Sequence, residues 1–245
     1  MVLSTRVSIQ WGSDGPAEST HTLVSTSAAD HFVDVRILTD RYPHIQTTEE
    51  PESFESIFDW AIVGEEKPIE NTSKILFDHL INLQDIFKSL KLGKPFKSEP
   101  DIGDFSAIEG SEDRKETGEM VNPATNQLTP YVEIWRSLNP SRTTPTQEVR
   151  EDRDEEGNEV NDENVINATY EFEHDSMYGR CIILGKWIQG VIHDRSDKTH
   201  PLSIYRAFHD DKEDKWVPLI RYGKQFASDF SPEILTIDSR WSRIE

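Results

Sequence analysis

The chain of 245 residues carries 26 Lys and Arg against 46 Asp and Glu, a formal charge of −20 with a pI near 4.7. That balance repels phosphate backbones and no basic run offsets it, which excludes a nucleic-acid or anionic-membrane partner; nor does any stretch approach the roughly 18 apolar residues of a membrane span. The apolar share of 35% is low, yet 11 Phe, 6 Trp and 6 Tyr supply bulk for burial, and the length suits two domains of roughly 100–150 residues.

In chain order, period-two alternation broken by polar turns marks strands with one buried face. Val7, Ile9 and Trp11 alternate with Ser8 and Gln10 until Gly12-Ser13-Asp14-Gly15-Pro16 ends the run. A second strand is expected near Thr20–Ser25, a third where His31, Val33, Val35 and Ile37 alternate with Asp34 and Arg36, and a fourth from Phe54 to Gly64. Over 76–90, Leu76, Leu80, Leu83, Phe87 and Leu90 are spaced 4-3-4-3, with Thr72 or Ser73 as cap and Gly93 as stop. Spacing alone makes this a helix, while its first part, KILFDHL, reads equally as a strand entering a short helix.

Residues 109–119 mix charges with two glycines and read as a loop, which places the domain boundary there and divides the chain into 1–110 and 111–245. Residues 143–164, running into EDRDEEGNEVNDEN, are expected to be a disordered acidic insert, because repelling carboxylates with few apolar side chains cannot offset chain entropy. Alternation resumes at Tyr170 and Phe172, then at Arg180–His193, Leu202–Phe208 and Lys215–Tyr222. Many short strands without helical spacers predict a mainly β chain of antiparallel barrels, with Gly185 and Gly190 where strands bend sharply. Trp187, between those glycines, is expected in the core of the second half.

The sequence holds no nucleophile elbow, phosphate loop or dinucleotide fingerprint, so no catalytic residue, cofactor or metal is expected. Cys181, the single cysteine, lies in an apolar run and reads as a buried inert thiol. With the absence of a basic-then-apolar leader in MVLSTRVSIQW, it predicts a soluble intracellular protein. His174, His193, His200 and His209 lack ligand spacing and read as surface residues. Asp152, Asp154, Glu156, Gly157 and Glu163 fall in calcium-loop register, but Glu159 stands where that loop packs an apolar side chain, and the flanks are not helical. A solvated loop is the expected reading. Tyr131, Glu133 and Trp135 share one face of a strand. Inside a barrel, a carboxylate among aromatics could receive a ligand's donor with a raised pKa, pair with an arginine, or face water; these three residues are the pocket candidates.

Taken together, Phe58-Asp-Trp-Ala-Ile-Val-Gly64, Glu116-Thr-Gly-Glu-Met-Val-Asn-Pro123, Glu133-Ile-Trp-Arg136, Asn139-Pro-Ser-Arg142, Gly185-Lys-Trp-Ile-Gln-Gly190 and Tyr222-Gly-Lys224 resemble the fungal Hri family, named for interaction with a casein kinase I homologue. The resemblance implies two tandem lipocalin-like β-barrels with little helix, a cytoplasmic and nuclear location, and no established catalytic activity. It supplies no active-site residues, and the insert 151–163 and the leucine-rich 76–90 depart from its pattern. The function it implies is that of a non-enzymatic adaptor for a casein kinase I-type protein kinase. The alternative is a small-molecule carrier, since a barrel of about eight strands can enclose one ligand.

Overall fold

The computed structural model describes residues 1–48, 51–150, 166–226 and 230–245. The chain runs β1 (Val2–Trp11), β2 (Thr20–Thr26), β3 (His31–Leu38), β4 (His44–Ile45), β5 (Phe58–Pro68), β6 (Lys74–Asn82), helix α1 (Leu83–Leu92), β7 (Asp101–Ile108), β8 (Ser111–Asn122) and β9 (Gln127–Leu138). It continues with β10 (Asn167–His174), β11 (Met177–Leu184), β12 (Trp187–Asp194), β13 (Leu202–Asp210), β14 (Lys215–Tyr222), helix α2 (Pro232–Ile237) and β15 (Trp241–Arg243). The chain is mainly β with little helix, as expected. Strands β1-β2-β3-β5-β6-β7-β8-β9 form a closed barrel, β9 returning antiparallel onto β1 with Thr5 opposite Arg136. The second half, expected as a second barrel, instead forms a seven-stranded sheet ordered β15-β10-β11-β12-β13-β14-β4, whose end strands do not pair with each other among the described residues. Its last strand comes from the first half: β4 leaves the barrel between β3 and β5 and pairs parallel with β14.

The division expected at 110/111 is corrected by this topology. The stretch 109–119 is a tight turn and the start of β8, which pairs with β7 through Asp104 and Thr117 and with β9 through Glu116 and Glu133. Composition suggests a loop there, but Arg114 and Glu116 line the barrel interior while Asp113, on the opposite face, is buried against Arg136 and Arg150, so the charges belong to a strand with a polar inner face. The barrel therefore runs to Leu138.

The leucine-rich segment combines both readings. Strand β6 continues to Asn82, whose side chain accepts from the Gln84 amide at 3.0 Å and caps α1, and Gly93 ends the helix. The cap is thus Asn82 and not Thr72 or Ser73. The run Arg180–His193 is a hairpin, not one bent strand: Gly185 takes φ +57° in the turn between β11 and β12, a conformation glycine adopts without penalty. The fourth expected strand begins later, after a 3-10 turn at Phe54–Ser56. The acidic run from 151 on, including the calcium-loop register, lies outside the described residues.

Two apolar layers hold the fold. Leu23, Val33, Val35, Ala61 and Val63, on the outer face of the barrel, pack with Ile182, Leu184, Val191 and Ile204 of the second sheet, and Trp187 lies in this shared core at 2% exposure. Behind the second sheet, Tyr170, Phe172, Cys181 and Tyr205 pack under Phe226, Phe230, Leu235 and Trp241. Cys181 is fully buried, and burial raises its pKa. Strand β3 is buried on both faces, since Val33, Val35 and Ile37 enter the shared core while Asp34 and Arg36 face into the barrel.

Side chains of the second sheet also grip barrel backbone. Gln189 Nε2 donates to the carbonyls of Leu23 and Val33, both at 2.9 Å, and its Oε1 accepts from Arg206 Nε at 2.6 Å. Arg206 reaches the Val35 carbonyl at 2.8 Å, and Arg180 reaches that of Gly64 at 2.6 Å. Burial pulls the Arg206 pKa down to about 10, and burial together with Arg206 pulls that of His21 down to about 3. Directional bonds of this kind fix how the sheet sits on the barrel, which apolar contact alone leaves loose.

Candidate functional site

Because the apolar faces of β2, β3 and β5 turn outward, the opposite faces carry their polar residues into the barrel. The interior encloses a cavity of about 120 Å³. Val24, Phe32, Ile62, Phe77 and Phe105 give it an apolar wall, and Asp34, Arg36, His79, Asp101, Glu116 and Glu133 a charged one. Glu66 and Arg114 line it as well and are partly exposed.

The charged wall is built around Arg36. Its Nε and Nη2 donate to Asp34 Oδ2 at 2.9 and 2.8 Å, and Nη1 approaches Glu133 Oε1 at 3.3 Å. The guanidinium lies between the rings of Trp60 and Trp135, at 5.2 and 5.7 Å from their centroids, where cation–π attraction adds to the ion pairs. Burial works against this charge, yet Asp34 and Glu133 outweigh it and hold the Arg36 pKa above the usual value. Arg6 donates to the same Glu133 oxygen at 2.6 Å and to Glu18 at 2.7 Å. One atom of the cluster is left over: Asp34 Oδ1 is buried without a hydrogen-bond partner, in a residue only 3% exposed.

Among the described residues Glu116 forms no ion pair with an arginine. Its Oε1 accepts from the Tyr131 hydroxyl at 2.7 Å and its Oε2 from Trp135 Nε1 at 2.8 Å. Burial, then the nearby Glu133 charge, pushes its pKa up to about 8, so at neutral pH it is largely a neutral acid. Gly103 on β7 makes room for it, since a Cβ there would lie 2.4 Å from Glu116 Oε1. On the neighbouring strand, His79 Nε2 stands 3.5 Å from Asp101; burial lowers the pKa of the histidine and raises that of the aspartate.

All three residues picked from the sequence lie on this inner wall. Of the open readings for Glu133, the geometry realises the arginine pair, and burial raises the pKa of a neighbouring carboxyl, Glu116. Sequence reasoning missed Arg6, Asp34, Arg36, Trp60, His79 and Glu116. The signal for Asp34 and Arg36 is present as alternation in β3, but a strand with one buried face predicts water on their side. Glu116 was hidden by assignment of its strand to a loop. Of the histidines expected on the surface, His193 is half-buried against Tyr178, and burial lowers its pKa to about 4.

Among the described residues no helix is long and apolar enough to cross a membrane. The family model described as Protein HRI1 matches residues 2–243. Protein HRI1 of Kluyveromyces lactis is 27% identical over 238 residues, spanning 95% of this chain and 90% of its own. The crystal structure of an uncharacterized protein from Saccharomyces cerevisiae is similar with a TM-score of 0.71 at 21% identity, covering 100% of this chain and 98% of that one; at that identity the likeness shows the fold alone.

Proposed function

The chain belongs to the Protein HRI1 family, and we propose that it is a non-enzymatic binding protein whose barrel takes a small molecule with a hydrogen-bond-donating head and an apolar body. The observation that carries this reading is the unpartnered Asp34 Oδ1 at a cavity where Arg36, Glu116 and Glu133 already have hydrogen-bond partners. A buried acceptor left unmade costs about 1–3 kcal/mol or more, and an incoming donor recovers that. The apolar wall of Phe32, Phe77 and Phe105 suits a ring or short chain, and about 120 Å³ approaches the roughly 150 Å³ cavity that accepts benzene.

The test is extraction and mass spectrometry of the purified protein, followed by titration with phenethylamine read by tryptophan fluorescence, since Trp60 and Trp135 line the cavity. Val24→Phe, which fills the cavity, and Asp34→Asn, which turns the free acceptor into a donor, should each abolish the response. Unchanged binding in both variants, or a cavity that holds water alone against every amine and alcohol tried, would end this reading.

A second reading, association with a casein kinase I-type protein kinase, is favoured by the resemblance and by the charge of −20, which steers a basic partner face. Recovery of such a kinase from lysate, with an on-rate that falls as salt rises, is its test.

A further inference from the structure

A groove of about 810 Å³ runs between the connection from α1 to β7 and the loop from β12 to β13. Leu80, Leu90, Phe96 and Tyr178 line it, and Leu80 is 45% exposed. Its charged lining departs from the rest of the chain: Lys94 and Lys97 come from one side, Arg195 and Lys198 from the other. The sequence shows no such cluster because the two pairs are separated by about a hundred positions and only the fold brings them together.

The two carboxylates of the lining are already engaged. Asp85 accepts from the amide and hydroxyl of Ser98, both at 3.1 Å. Asp197 accepts from the amides of Thr199 and His200 at 2.9 and 2.8 Å and from Lys224 at 2.9 Å. Among the described residues no carboxylate lies within ion-pair distance of Lys94, Arg195 or Lys198, and the one that reaches Lys97, Asp78, does so at 3.9 Å. The cations are also partly ordered: Arg195 lies 4.1 Å over the Tyr178 ring, and Lys198 Nζ donates to the Arg195 carbonyl at 2.7 Å.

We propose that this groove docks a short acidic peptide segment of a partner protein, its carboxylates on Lys94, Lys97, Arg195 and Lys198 and an apolar side chain against Leu80 and Phe96. Unspent cations gathered on a chain of −20 invert the local potential and select an anion. The groove is far larger than one phosphate, and its apolar wall is left unused by a bare ion. An extended polyanion or a flat anionic membrane must also cross the negative surroundings, whereas a short segment stays within about 8 Å of the patch, one Debye length at physiological salt. Recognition of an acidic motif by a basic groove is an established mode of peptide binding.

The experiment is fluorescence anisotropy on the full chain with a fluorescein-labelled peptide of Glu and Asp flanking a Phe-Leu pair. The same peptide with Gln and Asn for Glu and Asp is the control. The acidic peptide should bind saturably, the control at least about tenfold more weakly, and salt raised from about 0.1 M to about 1 M should weaken the acidic complex. Lys94→Glu with Lys198→Glu should weaken it at least about tenfold, and Lys94→Gln with Lys198→Gln should fall between; both pairs are exposed, and circular dichroism verifies that the variants fold. Val24→Phe, inside the barrel, should leave peptide binding unchanged. Equal binding of both peptides, wild-type affinity in the charge-reversed variant, no saturable binding, or tighter binding of an oligonucleotide or anionic vesicle at this groove would overturn the proposal.

Discussion

Replacing Glu116 by Gln tests the electrostatics of the barrel interior through stability. The unfolded chain releases the Glu116 proton near the ordinary carboxyl value of 4.5, whereas the folded chain holds it to about 8. Between those values the native state binds more protons than the unfolded state, so this group's contribution is most favourable below about pH 4.5 and is lost as pH rises toward about 8. At about 1.4 kcal/mol per pH unit, the loss approaches about 5 kcal/mol. Gln cannot ionise, and its amide still offers an acceptor to Trp135 Nε1 and a donor to the Tyr131 oxygen. Urea melts of both proteins should therefore nearly coincide near pH 5, while the variant should be more stable by several kcal/mol at or just above pH 8. Titrating groups that do not interact with Glu116 are shared and cancel in the comparison. The protonated-carboxyl stretch lost from the infrared spectrum of the variant at neutral pH identifies the group independently. Parallel pH profiles within about 1 kcal/mol, or no such stretch, would refute the argument that burial and Glu133 keep this acid neutral.

Two further outcomes follow from the packing. Trp187→Ala empties a site in the core shared by barrel and sheet and frees the Thr143 carbonyl that its indole reaches at 3.2 Å; denaturant melts should show a loss of about 3–5 kcal/mol, and a loss under about 1 kcal/mol would place the ring outside the core. Gln189→Leu leaves Arg206 Nε without its acceptor and removes two bonds to barrel carbonyls. It should cost about 3 kcal/mol, the upper range for a stranded buried group, and protect the amides of β2 and β3 less from hydrogen exchange; unchanged protection would show that apolar contact alone docks the sheet.

Alternation in the sequence was enough to mark β1, β2, β3 and the strands after residue 167, because a pleated strand sends successive side chains to opposite faces whatever surrounds it. It placed Tyr131, Glu133 and Trp135 together on one face for the same reason. The capping role of Asn82 and the hairpin turn at Gly185 were local facts with signals too short to separate from their neighbours. What alternation cannot say is which face is wet. In β3 the apolar residues point out of the barrel and the charged ones point in, since the second sheet covers the outside and dries it. The same inversion turned the charged stretch at 111–119 from a loop into a barrel wall, paired Glu133 with Arg6 and Arg36, and left Glu116 buried beyond ion-pair distance of them with a raised pKa. The basic groove on an acidic chain likewise exists only where two distant loops meet. Periodicity is a property of one strand, whereas burial and electrostatic potential are sums over everything packed around it, and those sums are set by tertiary structure.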